Sequence, residues 1–309
     1  MRLIYSRLLL FLCFFLFTAC TSKSKQQSDR NRKDSPEIHN SNNKNKTSPQ
    51  RVSKTGDLII ASWNIQDLGR TKDSLELVQI AQIIKDFDVV ALQEVVAKDP
   101  AGVQAVARIA DELNRMGSKW NYSVSDATNS PSAYISERYA FLWKTSKVKL
   151  VKKPYLDKEL EVLCNREPYI ASFKVKKGEG TFFVINYHSR KHDDNPEDEI
   201  VYFKEYPKRL KSERIFIVGD FNLNEKHKVW NPLYKLGFQP SLKNTPTTLK
   251  IKCRYGNYLN HSIDNIYYDT SNIELINAGR MDFVHDCENL KNARHLSDHL
   301  PVFLECSLF

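Results

Sequence analysis

The sequence predicts an α/β fold over residues 57–309, a four-layer sandwich of two packed mixed β-sheets flanked by helices. Three observations lead there. Strand and helix signals alternate from Asp57 onward. About ten short apolar runs have the length and the β-branched, aromatic character of strands. No linker-like stretch and no internal repeat interrupts residues 57–309, so one domain is the simplest division.

Taken in order, Leu58-Ile59-Ile60-Ala61 is a buried-type strand. Leu77, Ile80, Ala81 and Ile84 recur at spacings of three and four, the mark of one helical face. Asp88-Val89-Val90-Ala91-Leu92 is a second strand. Residues 101–116 form a second amphipathic helix with Val103, Val106, Ile109, Ala110 and Leu113 on one side. The centre is richer in strands, at 139–143, 169–173 and 181–185. A helix over 197–210 then leads into a strand at 214–218 that breaks at Gly219. Two further strands are expected near 263–268 and 301–308.

The 41% hydrophobic content excludes a wholly disordered chain, and 11% aromatic residues with only 10 Gly exclude a fibrous one. The net charge of +9 is unevenly placed. Arg2, Arg7 and a segment 21–56 with nine Lys/Arg against three Asp/Glu hold nearly all of it. Residues 57–309 are close to neutral, so bulk charge does not mark that region as a binder of polyanions.

Residues 1–20 read as a signal peptide of lipoprotein type. A basic start precedes ten apolar residues, 8–17, about half of what spans a bilayer. Thr18-Ala19-Cys20 resembles a bacterial lipobox, which implies cleavage before Cys20 and lipidation of its sulfur. Residues 21–56, rich in Ser, Asn, Lys and Gln, are expected to be a disordered linker. The domain would then be exported, either as a cell-envelope lipoprotein tethered to a membrane or as an extracellular protein. Export permits disulfides. Cys164, Cys253, Cys287 and Cys306 allow three connectivities if all pair. Cys253–Cys287 is favoured because both lie in polar, loop-like stretches, whereas Cys306 sits in an apolar strand and reads as a buried thiol.

Polar residues recur just past the ends of the apolar runs: Asn64, Glu94, His188, Asp220 with Asn222, Asp264 with Asn265, and Asp298 with His299. Strand ends on one side of a sheet converge, so six such ends can build one site. Each residue alone has an ordinary explanation as a cap, a turn or a structural histidine. The set together does not. Carboxylates and amide oxygens suit Mg²⁺ or Ca²⁺ rather than zinc, and two histidines supply proton transfer. Arg166 adds a fork for phosphate oxygens. No Walker loop, His-Glu-x-x-His or Gly-x-Ser-x-Gly occurs.

These residues, in this order, resemble the endonuclease/exonuclease/phosphatase superfamily across essentially all of 57–309, and within it the deoxyribonuclease I-like nucleases. Ser136-Glu137-Arg138-Tyr139-Ala140-Phe141-Leu142 is similar to that group's Glu-Arg-Tyr strand. Asn165-Arg166-Glu167-Pro168 is similar to its Arg-Glu-Pro turn. The resemblance implies that Asn64 and Glu94 hold a divalent metal that Asp298 joins. It implies that Glu137 orients His188, that Asp264 orients His299, and that Asp220 and Asn222 position water or phosphate. It places Arg166 at a DNA phosphate. The group's aromatic two residues before the glutamate is here Ile135, with Tyr134 one residue earlier as its substitute.

The implied function is a membrane-anchored or secreted endonuclease that hydrolyses DNA phosphodiester bonds with Mg²⁺, alone or with Ca²⁺ or Mn²⁺. DNA is the expected substrate, the membrane a partner through the lipid, and the oligomeric state a monomer. A sphingomyelinase-like phospholipid phosphodiesterase or a phosphomonoesterase of the same superfamily is the alternative. The first of these would fit the anchor, but the sequence lacks an evident exposed aromatic hairpin. An inactivated binding fold is disfavoured because none of the expected ligands and histidines is missing.

Overall fold

The computed structural model describes residues 56–69, 71–98, 100–177 and 180–309. The leader with Cys20, and the linker up to residue 55, lie outside the described residues.

Along β1 (Leu58–Leu68) successive side chains enter two different cores. Leu58 and Ile60 pack between the sheets, while Ile59, Ala61 and Trp63 pack under helices. A strand buried on both faces reads as a continuous apolar run, which is why the sequence marks it so clearly. β2 (Val89–Val96) divides in the same way, with Val89 and Ala91 against Val90 and Leu92. The helical cover on this side is α1 (Ser74–Ile84) and α2 (Ala101–Arg115). The first starts at a capping box in which Asp73 accepts from the Glu76 amide and Glu76 accepts from the Asp73 amide.

The first sheet also contains β3 (Trp120–Val124), β4 (Glu137–Lys144), β13 (Ile273–Arg280) and β14 (Val302–Leu308). Its order is β13-β14-β1-β2-β4-β3, with β1 and β2 parallel. The second sheet is built from β5 (Val148–Leu156), β6 (Tyr169–Val175), β7 (Thr181–His188), β8 (Ile215–Asp220), β9 (Phe238–Pro240) and β12 (Asp264–Asp269). Its order is β5-β6-β7-β8-β12-β9, with β7 and β8 parallel. Short helices α3 (Glu197–Ile200), α4 (Tyr206–Leu210) and α5 (Asn231–Lys235) cover its outer face. These are two mixed six-stranded sheets packed face to face between helices, the expected architecture.

Several local expectations are corrected. The helix expected over 197–210 is α3, a 3₁₀ turn over Val201–Glu205, and α4. Pro207 offers no N–H to a continuing ladder, so a new helix starts around it. Fourteen strands are present among the described residues, against about ten expected. The additional ones, such as β5 with its Lys149, Lys152 and Lys153, lie at edges where one face meets solvent and the apolar run is diluted. Cys253 lies in a strand, not a loop: β10 (Leu249–Arg254) pairs with β11 (Asn257–Leu259) as a separate hairpin. Cys253 and Cys287 are disulfide-bonded, and Cys164 and Cys306 are buried free thiols. The hairpin tip carries an exposed Tyr255. The strand is too polar to show the alternation that would have revealed it.

The two sheets are tied together below one rim. Asn186 of β7 donates from Nδ2 to the carbonyls of Leu92 (3.0 Å) and Ala140 (3.2 Å) in the other sheet. Its Oδ1 accepts from Gln93 Nε2 at 2.6 Å. Buried amides committed in this way fix the separation of the layers.

Candidate active site

The strands β7 and β8 finish, and β1 and β2 pass, at the rim where the antiparallel β4 and β12 begin and where the chain enters β14. The six expected strand ends, together with Glu137, therefore meet. Asn64 and Glu94 lie inside their strands and not beyond them, because both strands continue past the rim. Glu94 takes φ 59° at a register shift between Leu92 and Val95, a bulge that re-aims its side chain. Gly219 is required just before Asp220. Its φ is 148°, and a Cβ there would lie 1.7 Å from the Tyr187 carbonyl oxygen.

Two carboxylate–imidazole pairs face one aspartate. His188 Nδ1 donates to Glu137 Oε2 at 3.0 Å, and His299 Nδ1 donates to Asp264 Oδ2 at 2.9 Å. The other nitrogens, His188 Nε2 and His299 Nε2, lie 3.5 and 3.7 Å from Asp220 Oδ2. Burial opposes charge on both rings. For His188 Arg166 opposes it too, yet Glu137 and Asp220 outweigh both and raise its pKa. For His299 the carboxylates of Asp264 and Asp220 overcome burial and push the value up to about 10. Both imidazoles are thereby biased toward the protonated form, with Asp220 between their free nitrogens.

Supporting groups fix each member. Thr247 Oγ1 donates to Asp264 Oδ2 at 2.6 Å. Ser297 Oγ donates to the Asn64 carbonyl (2.6 Å) and accepts from the His299 amide (2.9 Å). The Asn222 amide donates to Asp220 Oδ1 at 3.0 Å from a residue with φ 51°. Thr247, Gln93 and Asn186 were not legible as site supports, since a lone polar residue carries no sign of the partner it meets across the sheets.

Asn64 Nδ2 donates to Glu94 Oε1 (3.0 Å) and Asp220 Oδ2 (3.2 Å). Its Oδ1 is buried with no hydrogen-bond partner, an acceptor left open beside a carboxylate and therefore suited to a hard cation. Asp220, Asp264 and His299 also offer ligand atoms within 4.8 Å of one another. Asp264, however, is already committed to His299 and Thr247 through both of its oxygens. The oxygens of Asn64 and Glu94 are the better donors. Asp298 sits apart from these direct bonds, with its carboxylate 3.8 Å from Arg294 Nη2. It shares with Glu94 and Asp67 an acidic flank that acts on Lys72.

Arg166 does not present its fork to the rim. It is buried, and its Nε, Nη1 and Nη2 donate to the carbonyls of His188, Ile135 and Ser189. A buried guanidinium must satisfy its donors, and here they order the backbone that carries His188. Tyr134 is fully exposed in the loop before β4. Beside the rim, a groove of about 690 Å³ is lined by Asn222, Leu223 and Ile263 and by Lys191, His192 and Lys226.

This fold is a sandwich of two mixed sheets with one rim of polar strand ends. The chain belongs to the Endonuclease/Exonuclease/phosphatase family, which residues 61–299 match. It is 29% identical over 272 residues to a protein named deoxyribonuclease from a Thioalkalivibrio species, a match covering 80% of this chain and 70% of that one. It shares its fold with a Bacteroides thetaiotaomicron mannosyl-6-phosphatase (16% identity, 81% and 99% of the two chains, TM-score 0.56). It also shares it with D. rerio TDP2 complexed with a single-stranded DNA product (16% identity, 81% and 98%, TM-score 0.55).

Proposed function

We propose that the protein is an exported, membrane-tethered endonuclease that hydrolyses DNA phosphodiester bonds with Mg²⁺. The observation that carries this reading is Asp220 flanked by two carboxylate-held imidazoles next to the Asn64–Glu94 pair. The relative named deoxyribonuclease supports the choice of substrate. Attack on a phosphodiester builds negative charge on the non-bridging and leaving oxygens, and two cationic donors preorganised around one phosphate answer it.

Asn64 and Glu94 would hold the cation, with Asp298 on its outer side. A bound divalent ion supplies neutralisation of phosphate charge. Asp220 and Asn222 position the attacking water. The imidazoles of His188 and His299 donate hydrogen bonds to the phosphate and carry the proton to the leaving oxygen. Arg166 acts on His188 by holding its backbone. Tyr134, exposed ahead of Glu137, meets the DNA outside the rim.

The lipid on Cys20 and the linker would keep a monomeric catalytic domain close to a membrane surface. The Cys253–Cys287 bond fits an oxidising compartment.

A substrate panel tests the reading. Duplex DNA, single-stranded DNA, RNA, sphingomyelin and sugar phosphates are offered to one preparation with Mg²⁺. Cleavage of DNA in preference to the lipid and monoesters is expected. Release of phosphocholine or inorganic phosphate with DNA left intact would replace it with the phospholipase or phosphatase alternative.

A further inference from the structure

The β10–β11 hairpin belongs to neither sheet, and the chemistry described so far does not use it. It grows directly out of the catalytic segment. Thr248 forms an antiparallel bridge with His299, and the Leu249 amide donates to the Asp298 carbonyl at 2.7 Å. The Leu300 amide donates back to the Thr247 carbonyl at 2.7 Å. From that base β10 extends through Lys250, Lys252 and Arg254, a cation at every second position, in steps of roughly 6.6 Å. None of the three makes an ion pair or a hydrogen bond through its side chain among the described residues. The tip, Tyr255-Gly256, has positive φ at both positions, as a tight two-residue hairpin turn requires.

The arm is held rigid. Cys253 is bonded to Cys287, Tyr258 Oη donates to Asp282 Oδ2 at 2.7 Å, and Leu249 packs with Val284, Leu290 and Leu300. Two acidic residues of the clipped loop, Asp282 and Asp286, accept from the loop's own amides. Asp282 Oδ1 accepts from Val284 and His285, and Asp286 Oδ1 accepts from Glu288 and Asn289. Residues 249–259 themselves hold three cations and no carboxylate.

We propose that this hairpin is a nucleic-acid-binding arm, with Lys250, Lys252 and Arg254 gripping the phosphate backbone of the strand that lies across the catalytic rim. The proposal rests on the nuclease reading and adds to it where that substrate is held. The site gains the positive charge that the nearly neutral domain lacks overall, concentrated where the scissile strand leaves the imidazoles. A bilayer-entering tip would need a cluster of large apolar side chains. Here the face opposite the cations offers two such side chains, Ile251 and Tyr255, with the disulfide-bonded Cys253 between them.

The test is binding of a short fluorescein-labelled DNA duplex to the full chain in EDTA, followed by anisotropy over a range of salt. Replacing Lys250, Lys252 and Arg254 with Gln together should weaken binding about 100-fold near 0.1 M salt and make the log–log salt slope shallower by about 2.7, three contacts at about 0.9 each. A chain carrying Lys250→Arg, Lys252→Arg and Arg254→Lys should keep the wild-type slope. An unchanged slope in the triple Gln variant, or no measurable duplex binding by the wild-type chain, overturns the proposal. So does loss of sedimentation with phosphatidylserine vesicles in that variant while its duplex slope is unchanged, since the arm would then serve a membrane. If the wild-type chain binds duplex through the arm but cuts no DNA with any metal, the nuclease reading fails while the arm stands.

Discussion

Asn64 on β1 and Asp220 on β8, strands of different sheets, are joined by a 3.2 Å hydrogen bond from amide to carboxylate. The proposed centre therefore straddles the sandwich, and its geometry depends on the layers staying in register. Asp220→Asn would remove the anion that both imidazoles face. Activity should fall about 10²–10⁴-fold with the fold intact, checked by kcat on plasmid DNA alongside the far-UV spectrum.

The imidazoles should titrate high. In the metal-free protein, NMR should place His188 above the ordinary histidine range and His299 near 10, the values their carboxylate partners dictate. Asp264→Asn should bring His299 down toward the ordinary value. A raised folded-state pKa contributes stability that is complete below the unfolded value of about 6.5 and is lost as pH rises through the folded one. The stability gap between wild type and His299→Asn should therefore be widest at pH 6 and narrow steadily toward pH 10. A gap that widens instead would contradict the assignment.

Gly219→Ala should be among the most damaging single changes in the second sheet. The new methyl would collide with the Tyr187 carbonyl at a φ that L residues avoid. Denaturant unfolding should show a loss of at least about 2–3 kcal/mol, or no folded protein at all.

The disulfide closes a separation of 34 residues. Replacing Cys253 and Cys287 with Ser should cost about 2–4 kcal/mol of unfolding free energy. Cys164→Ser and Cys306→Ser would probe burial, not cross-linking, because both are buried free thiols.

Much of this architecture was legible because buried strands declare themselves. β1, β2, β7 and β8 carry long apolar runs, each followed by the polar residue that reaches the rim. The arrangement was less legible wherever polarity hid the element. β10 alternates Lys with mixed residues and reads as a loop, though it supports His299. Arg166 looked like a ligand for phosphate because a lone arginine in a turn gives no sign of burial, and only the packed structure shows its donors taken by carbonyls. The Gln93–Asn186 tie depends on the distance between two sheets, which no local pattern encodes.

Supercoiled plasmid incubated with the wild-type chain in Mg²⁺, in EDTA, and with His188→Ala or His299→Ala chains tests the central claim most directly. Nicking and linearisation in Mg²⁺ alone, abolished by the chelator and by either substitution, is the expected result. Undiminished cutting by either histidine variant, or cutting that persists in EDTA, would contradict the account.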